Sequence, residues 1–347
     1  MLFYIVNLFL LCGVLYLLKG HKNKMLGVAF IWLTALSALR GNGIGADYFT
    51  YKMFFEAFSS MGWADALSHF TESGYGLLNK LVGFFTDEYQ WLLAVCSILS
   101  MIGVVRFIKE YSRYPIISIW LFITMGMYQM TFTVLRQAIA ISLVLVAYIF
   151  AVNRKPLKFL FLILLASSFH YTALVFLIMY FFISKPVNKL HQLRNIALLV
   201  IIVACIPFIR MIVVYFASFT KYGIYSAGET GEGGRLLIVY CMILLYLYFI
   251  KRNDHASDIQ GYKYLYFFCV ITCLIQSLAL AVELINRMTL YFSIPMFILL
   301  PNTIERFEQR SKGIAGGVLM ILSLAYYIFS LAFFENQTTA NYTFFFS

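Results

Sequence analysis

The stretch VLRQAIAISLVLVAYIFAV, Val134 to Val152, carries a single charge, Arg136, near its start. A helix of that length rises about 28 Å at about 1.5 Å per residue, enough to cross roughly 30 Å of hydrocarbon. Lipid offers no partner to backbone amides, so such a run satisfies them internally as a helix. Similar runs recur on both sides of it, at 2–18, 25–39, 90–108, 115–132, 157–169, 170–183, 196–217, 235–250, 262–281, 287–301 and 314–334. The expectation is an all-α, polytopic transmembrane helical bundle of about 12 spans. Of the 347 residues, 62% are hydrophobic and 12% charged, which excludes a chain of soluble domains. Residues 1–347 then form a single membrane domain. The first run lacks a basic leader and a small-residue cleavage site, so it reads as retained.

The charges orient the bundle. Six turns hold three Lys or Arg each: Lys19, Lys22, Lys24; Arg106, Lys109, Arg113; Arg154, Lys155, Lys158; Lys185, Lys189, Arg194; Lys251, Arg252, Lys263; Arg306, Arg310, Lys312. Placing these 18 of 26 basic residues in the cytoplasm makes 157–169 and 170–183 a hairpin that turns at Ser167-Ser168-Phe169-His170. Both termini then face outward. The net charge of +11 belongs to this asymmetry and not to nucleic-acid binding. The six cysteines lie inside apolar runs without CxxC pairs or neighbouring histidines, and no HExxH-type spacing occurs, so neither a metal site nor a cofactor is expected.

Two outward loops follow from this topology. The larger, 40–90, joins spans two and three; it is acidic and rich in aromatic residues, as helices lying on a bilayer surface are. The second, 219–235, holds five glycines and reads either as a mobile lid or as a plain connector. The glycine-rich turn Arg40-Gly-Asn-Gly-Ile-Gly-Ala-Asp47 is followed by neither GK[ST] nor a strand, so it is no phosphate loop.

Four constellations on the outer half have the chemistry of a site. In GADYFTY and ESGYGLLNK, Asp47 and Tyr51, then Glu72 and Tyr75, pair carboxylates with tyrosines. That combination holds sugar hydroxyls, supplies a base, or simply caps helices at the interface. Arg136 with Gln137 opens a span where a lipid diphosphate would lie, and a guanidinium binds phosphate bidentately; the alternative is snorkelling to headgroups. His170 sits at the hairpin apex in apolar surroundings that favour a neutral imidazole, available as base or acceptor, or as a structural histidine. Glu283, Arg287 and Tyr291 share a face at four-residue spacing, where Glu283 would neutralise Arg287. Arg40, Arg210 and Arg235 are further outer arginines.

In this order and at these separations, GADYFTY, ESGYGLLNK, LRQAIAISL, FHYTALVF and NRMTLYF make the chain resemble the EpsG family, whose members look like Wzy-type polymerases of O-antigen, capsule and exopolysaccharide. The ending NQTTANYTFFFS departs from the basic or proline-containing tail usual in such families. The resemblance implies an inner-membrane glycosyltransferase, active on the periplasmic face, that joins undecaprenyl-diphosphate-linked oligosaccharides. A chain-length regulator and a flippase of the same pathway are its expected partners. It also implies that Arg136 and Arg287 hold diphosphate, with Arg40, Arg210 and Arg235 as further candidates. Tyr51, Tyr75, Gln137 and Tyr291 would be sugar contacts. His170, Asp47 and Glu72 compete for the role of base, with a slight edge to His170 because arginines weaken a nearby carboxylate as a base. The rival readings are a lipid-linked glycan flippase, an O-antigen ligase and a membrane acyltransferase. A carrier would want polar residues along a whole crossing path, and the inner halves of the spans are almost wholly apolar.

Overall fold

A computed structural model describes residues 2–68, 72–182, 197, 200–201, 204–205, 231–250, 260–280, 285–333 and 341–346. The expected span 196–217, most of the 219–235 loop, Arg210 and Glu283 lie outside this set, apart from isolated positions of the span and the last residues of the loop. Among the described residues the chain is helical, with one isolated antiparallel bridge between Arg40 and Phe344. The helices form two compact units, 1–174 with 309–347, and 175–308.

The first unit contains α1 (Leu2–Leu17), α2 (Lys22–Ala38), α3 (Tyr48–Ser60), α4 (Trp63–Ser68), α5 (Ser73–Phe85), α6 (Tyr89–Tyr111), α7 (Pro115–Thr124), α8 (Met130–Thr133), α9 (Leu135–Val152) and α10 (Pro156–Phe169). Its spine is α6, packed between α2 and α9. The three directions can be read from side chains. Ser97 Oγ bonds Ser37 Oγ at 2.8 Å, while Lys22 Nζ reaches the Ser112 carbonyl at 3.2 Å, so α2 runs antiparallel to α6. The start of α9 packs against the start of α6, through Leu135 and Ile139 beside Leu92, Leu93 and Cys96. Further along, the Gly103 N–H donates to Ser142 Oγ at 2.8 Å and the rings of Phe107 and Tyr148 lie 5.7 Å apart. Helices α6 and α9 are therefore parallel. Lys22, Lys109, Arg113 and Arg154 gather at one end of this spine, and α3, α4 and α5 gather at the other.

Among the described residues, α6, α9 and the helix Lys312–Phe333 are long and apolar enough to cross a membrane, and six shorter apolar helices accompany them. The boundaries have local causes. Pro115 and Pro156 occupy the first turns of α7 and α10, where a missing amide proton costs nothing. The apolar run 115–132, expected as one span, is interrupted after Thr124. Gly126 takes a φ of 76°, open to glycine at little cost, and the chain resumes helix only at α8. Gly45, at φ 110°, lets the turn after α2 touch α8: a Cβ there would lie 2.2 Å from the Phe132 carbonyl oxygen.

The tail also belongs to the first unit. Gly41 N–H donates to the Thr343 carbonyl at 2.8 Å and Phe345 N–H to that of Leu39 at 3.0 Å. Tyr342 stacks on Phe3 at 4.2 Å and donates to the Leu36 carbonyl at 2.7 Å. Residues 341–346 thus strap the start of α1 to the end of α2, placing both termini at the end that carries α3 to α5.

The second unit contains a 3₁₀ turn (Tyr171–Leu177, shared with the first unit), α11 (Ile178–Phe182), α12 (Gly231–Phe249), α13 (Gln260–Ala279), α14 (Asn286–Leu299) and a 3₁₀ segment (Leu300–Arg306). Helix α13 packs on both α12 and α14, and Phe176 stacks between Phe268 and Phe292. The remaining helix, α15 (Lys312–Phe333), returns to the first unit, where Trp120 Nε1 donates to Ser323 Oγ at 3.0 Å.

Candidate functional site

Three of the short sequence pieces, far apart in the chain, meet at Glu72. This residue stands at the N-cap of α5 without capping it, and its side chain is instead turned into the protein, with the residue 2% exposed. One carboxylate oxygen, Oε2, is ion-paired with Nη1 of Arg136, in the first turn of α9. The other, Oε1, lies 2.6 Å from His170 Nδ1 and accepts the Tyr171 N–H at 3.3 Å. Both oxygens of a buried carboxylate are thereby engaged, as burial of a charge requires.

Local structure explains why His170 is there. Helix α10 ends at Phe169, and His170 is its C-cap in an extended conformation, its N–H still bonded to the Ala166 carbonyl at 2.9 Å. That change of direction turns the ring toward α5. The first turn of α5 approaches because residue 74 is glycine: a Cβ on Gly74 would meet Ser168 Oγ at 2.3 Å and the Ser168 carbonyl at 3.0 Å. Glu72 and His170 thus each lie two residues from a backbone contact that leaves no room for a side chain.

Tyrosines line the arginine. The Arg136 guanidinium carbon is 5.8 Å from the Tyr51 ring centroid and 5.9 Å from that of Tyr75, within cation–π range. The two rings meet edge to face at 5.6 Å. Burial pushes both phenols up, against the opposing charge of Arg136 at Tyr51, and both stay protonated at neutral pH. Burial also pushes the Glu72 carboxyl up, but hydrogen bonding to His170 and the charge of Arg136 outweigh it and hold Glu72 below the ordinary carboxylate value. The carboxylate is therefore ionised near neutrality, a weak base but a strong hydrogen-bond acceptor.

An ionised Glu72 beside Nδ1 selects the tautomer of a neutral His170 in which Nδ1 carries the proton and donates it to the carboxylate. The lone pair then resides on Nε2, which is buried and has no hydrogen-bond partner among the described residues. A histidine oriented by a carboxylate, its far nitrogen uncommitted, is the arrangement of a general base.

The remaining candidates lie elsewhere. Gln137 is buried beside Arg136. Asp47 is half-buried at the N-cap of α3 and makes no capping bond. Arg40 is 1% exposed; it donates to the Ser37 carbonyl and to Phe132 O at 3.4 Å, and faces the Phe132 ring. In the second unit Arg235 is half-buried in α12, Arg287 is exposed in the first turn of α14, and Tyr291 is fully buried one turn further on. In the sequence Glu72, Arg136 and His170 stand in separate motifs, and nothing in their spacing indicates that one carboxylate serves both other side chains.

Neither the curated proteins nor the solved structures give a match to this chain. The family model of EpsG matches residues 23–344, from the first turn of α2 to the tail strap, and so includes every element of the Glu72 cluster. With nearly the whole chain covered and apolar helices recurring among the described residues, this is a membrane protein of the EpsG family, of polysaccharide-polymerase type.

Proposed function

We propose that the protein is a lipid-diphosphate-dependent glycosyltransferase that joins undecaprenyl-diphosphate-linked oligosaccharide repeat units at the periplasmic face of a bacterial inner membrane, in a bundle of about 12 spans. One observation carries the reading: Glu72 bridges Arg136 and His170 and leaves Nε2 of His170 uncommitted. The clustering of α3 to α5 at the end of the spine opposite Lys22, Lys109 and Arg154 supports an outward-facing site.

In this reading His170 Nε2 takes the proton of an acceptor sugar hydroxyl as that oxygen attacks the anomeric carbon of the donor chain. The bond from that carbon to the phosphate oxygen breaks, and lipid diphosphate leaves with the electron pair. Glu72 stabilises the imidazolium that forms and fixes its orientation. Arg136, whose side chain is about one-quarter exposed at 23%, meets the charge developing on the diphosphate. Arg287 is assigned the same role, and Arg40, Arg210 and Arg235 are the further candidates. Tyr51, Tyr75, Gln137 and Tyr291 are assigned to sugar, and Asp47 is the alternative base. No nucleotide sugar or cofactor takes part, and a flippase and a chain-length regulator would act beside it.

The test is the polysaccharide ladder of cells deleted for this gene and complemented with wild type, Arg136→Ala or His170→Ala. Collapse to a single repeat unit in the deletion, reversed by wild type and not by either variant at equal expression, is expected. Loss of the single-unit band too would indicate a flippase or ligase instead, and an unchanged ladder would sink the polysaccharide reading.

A further inference from the structure

Helix α5 presents two faces. Tyr75, Gly76, Asn79 and Val82 are buried against the helices beneath, whereas Leu77, Leu81, Phe84 and Phe85 are exposed, the last two at 68% and 78%. The exposed set recurs at helical spacing and contains no charge. Trp63 extends it, its ring 6.4 Å from that of Phe84, and Lys80 lies over the Trp63 ring at 5.7 Å while donating to the Ser59 carbonyl at 2.8 Å.

The two ends of α5 fix its depth. At its N-terminus Glu72 is paired with Arg136 in the first turn of α9. At its C-terminus only Thr86, Asp87 and Glu88 separate it from the first turn of α6, where Trp91 is exposed. Helices α6 and α9 are parallel, and both are long and apolar enough to cross a membrane. Gly103, about four turns into α6, meets Ser142, about two turns into α9, so α9 begins about two turns below α6, and α5, about 20 Å long, slopes inward from the first turn of α6 to that of α9. Exposed apolar residues also lie on the adjoining span α6, at Trp91, Ile98 and Ile102, and tryptophan and lysine at the margin of the stripe are the residue types that settle at headgroup depth.

We infer that α5 is an interfacial helix: the face formed by Leu77, Leu81, Phe84 and Phe85 is embedded in the outer edge of one leaflet, with Glu72 at its deeper end. The occupant of this surface is bilayer lipid. The inference rests on exposure and tethering and does not depend on the transfer chemistry proposed above.

The test places p-benzoylphenylalanine at Leu81, at Phe85 or, as a water-facing control, at exposed Glu56, in the full chain reconstituted in vesicles of phosphatidylethanolamine and phosphatidylglycerol. After irradiation, mass spectrometry is expected to find phospholipid adducts at positions 81 and 85 and none at 56. Crosslinking of positions 81 and 85 to a second copy of the chain, or recovery of both without lipid adduct, would overturn the inference. His170→Ala in the same background is expected to abolish polymer while leaving the adducts unchanged, so failure of either proposal can be told from failure of the other.

Discussion

Gly74 and Ser168 lie so close that a methyl group at position 74 would sit 2.3 Å from the serine hydroxyl and 3.0 Å from its carbonyl oxygen. Rotating the hydroxyl away relieves the first contact but not the second, so Gly74→Ala must move α5 off the end of α10. Overpacking of this kind costs about 1–3 kcal/mol. The larger consequence is for function, because the same movement draws Glu72 from His170. The expected outcome is loss of most polymer at near-normal expression, with partial recovery in Gly74→Ala/Ser168→Ala. Full activity of Gly74→Ala would show that the Glu72–His170 distance is not critical.

If Glu72 acts through His170, the two substitutions should not add. His170→Ala is expected to lower the transfer rate by about 10²–10⁴-fold, the usual contribution of general-base catalysis. Glu72→Gln keeps an acceptor near Nδ1 but removes the charge, and should cost less. The double variant should be no slower than His170→Ala alone, as for residues that work as one unit. Rates multiplying through the double variant would mean that Glu72 serves only to hold Arg136.

The depressed carboxyl of Glu72 has a signature in stability. A group whose folded-state value lies below its ordinary 4.5 contributes stability that is complete above that value and is lost as pH falls through the folded value. Melting of the detergent-solubilised protein should therefore separate wild type from Glu72→Gln at about pH 6–7, and the gap should close as pH falls below about 4.5. A gap of constant size down to acid would locate the effect of the substitution in packing and not in charge.

The sequence made the helical class plain because apolar runs of span length leave the backbone no alternative in lipid. It also shows which end of the bundle holds the polar groups, since Arg136 and His170 each sit at the edge of such a run and Glu72 lies in the loop between two of them. What stayed hidden was relational. Glu72 and Asp47 have much the same local sequence, an acidic residue shortly before a tyrosine, and only packing turns Glu72 inward beneath Arg136 while leaving Asp47 half-buried at a helix start. Arg40 reads in the sequence as one more outer arginine, and only packing shows its guanidinium directed to the carbonyls of Ser37 and Phe132. The break at Gly126 was masked by unbroken hydrophobicity, because hydropathy does not register one left-handed backbone angle.

The tail, uninterpretable as sequence, acquires a purpose from Tyr342. Its ring stacks on Phe3 and its hydroxyl caps the Leu36 carbonyl at the end of α2, which satisfies one of the acceptors every helix end leaves open. Tyr342→Ala is expected to destabilise the protein by about 2–4 kcal/mol, less than a fully buried aromatic because the residue is only half-buried. Tyr342→Phe, which keeps the stack, should recover most of this. A melting temperature unchanged in Tyr342→Ala would mean the strap is dispensable.

Gly103 offers the sharpest test of the spine. Alanine in place of a mid-helix glycine normally stabilises by about 1 kcal/mol, but here the added methyl would lie 2.0 Å from the Ser142 carbonyl oxygen and 2.6 Å from its Cα. These are backbone atoms of α9, unable to rotate aside, and the Gly103 N–H to Ser142 Oγ bond ties the same crossing. Relief requires α6 and α9 to separate along their length, which strips packing from Cys96, Leu135 and Ile139 as well. Gly103→Ala should therefore reverse the usual sign and destabilise more than Gly74→Ala, which has a flexible hydroxyl among its obstacles. Thermal melts of the two variants decide this: a Gly103→Ala protein as stable as wild type would show that α6 and α9 do not cross at these residues.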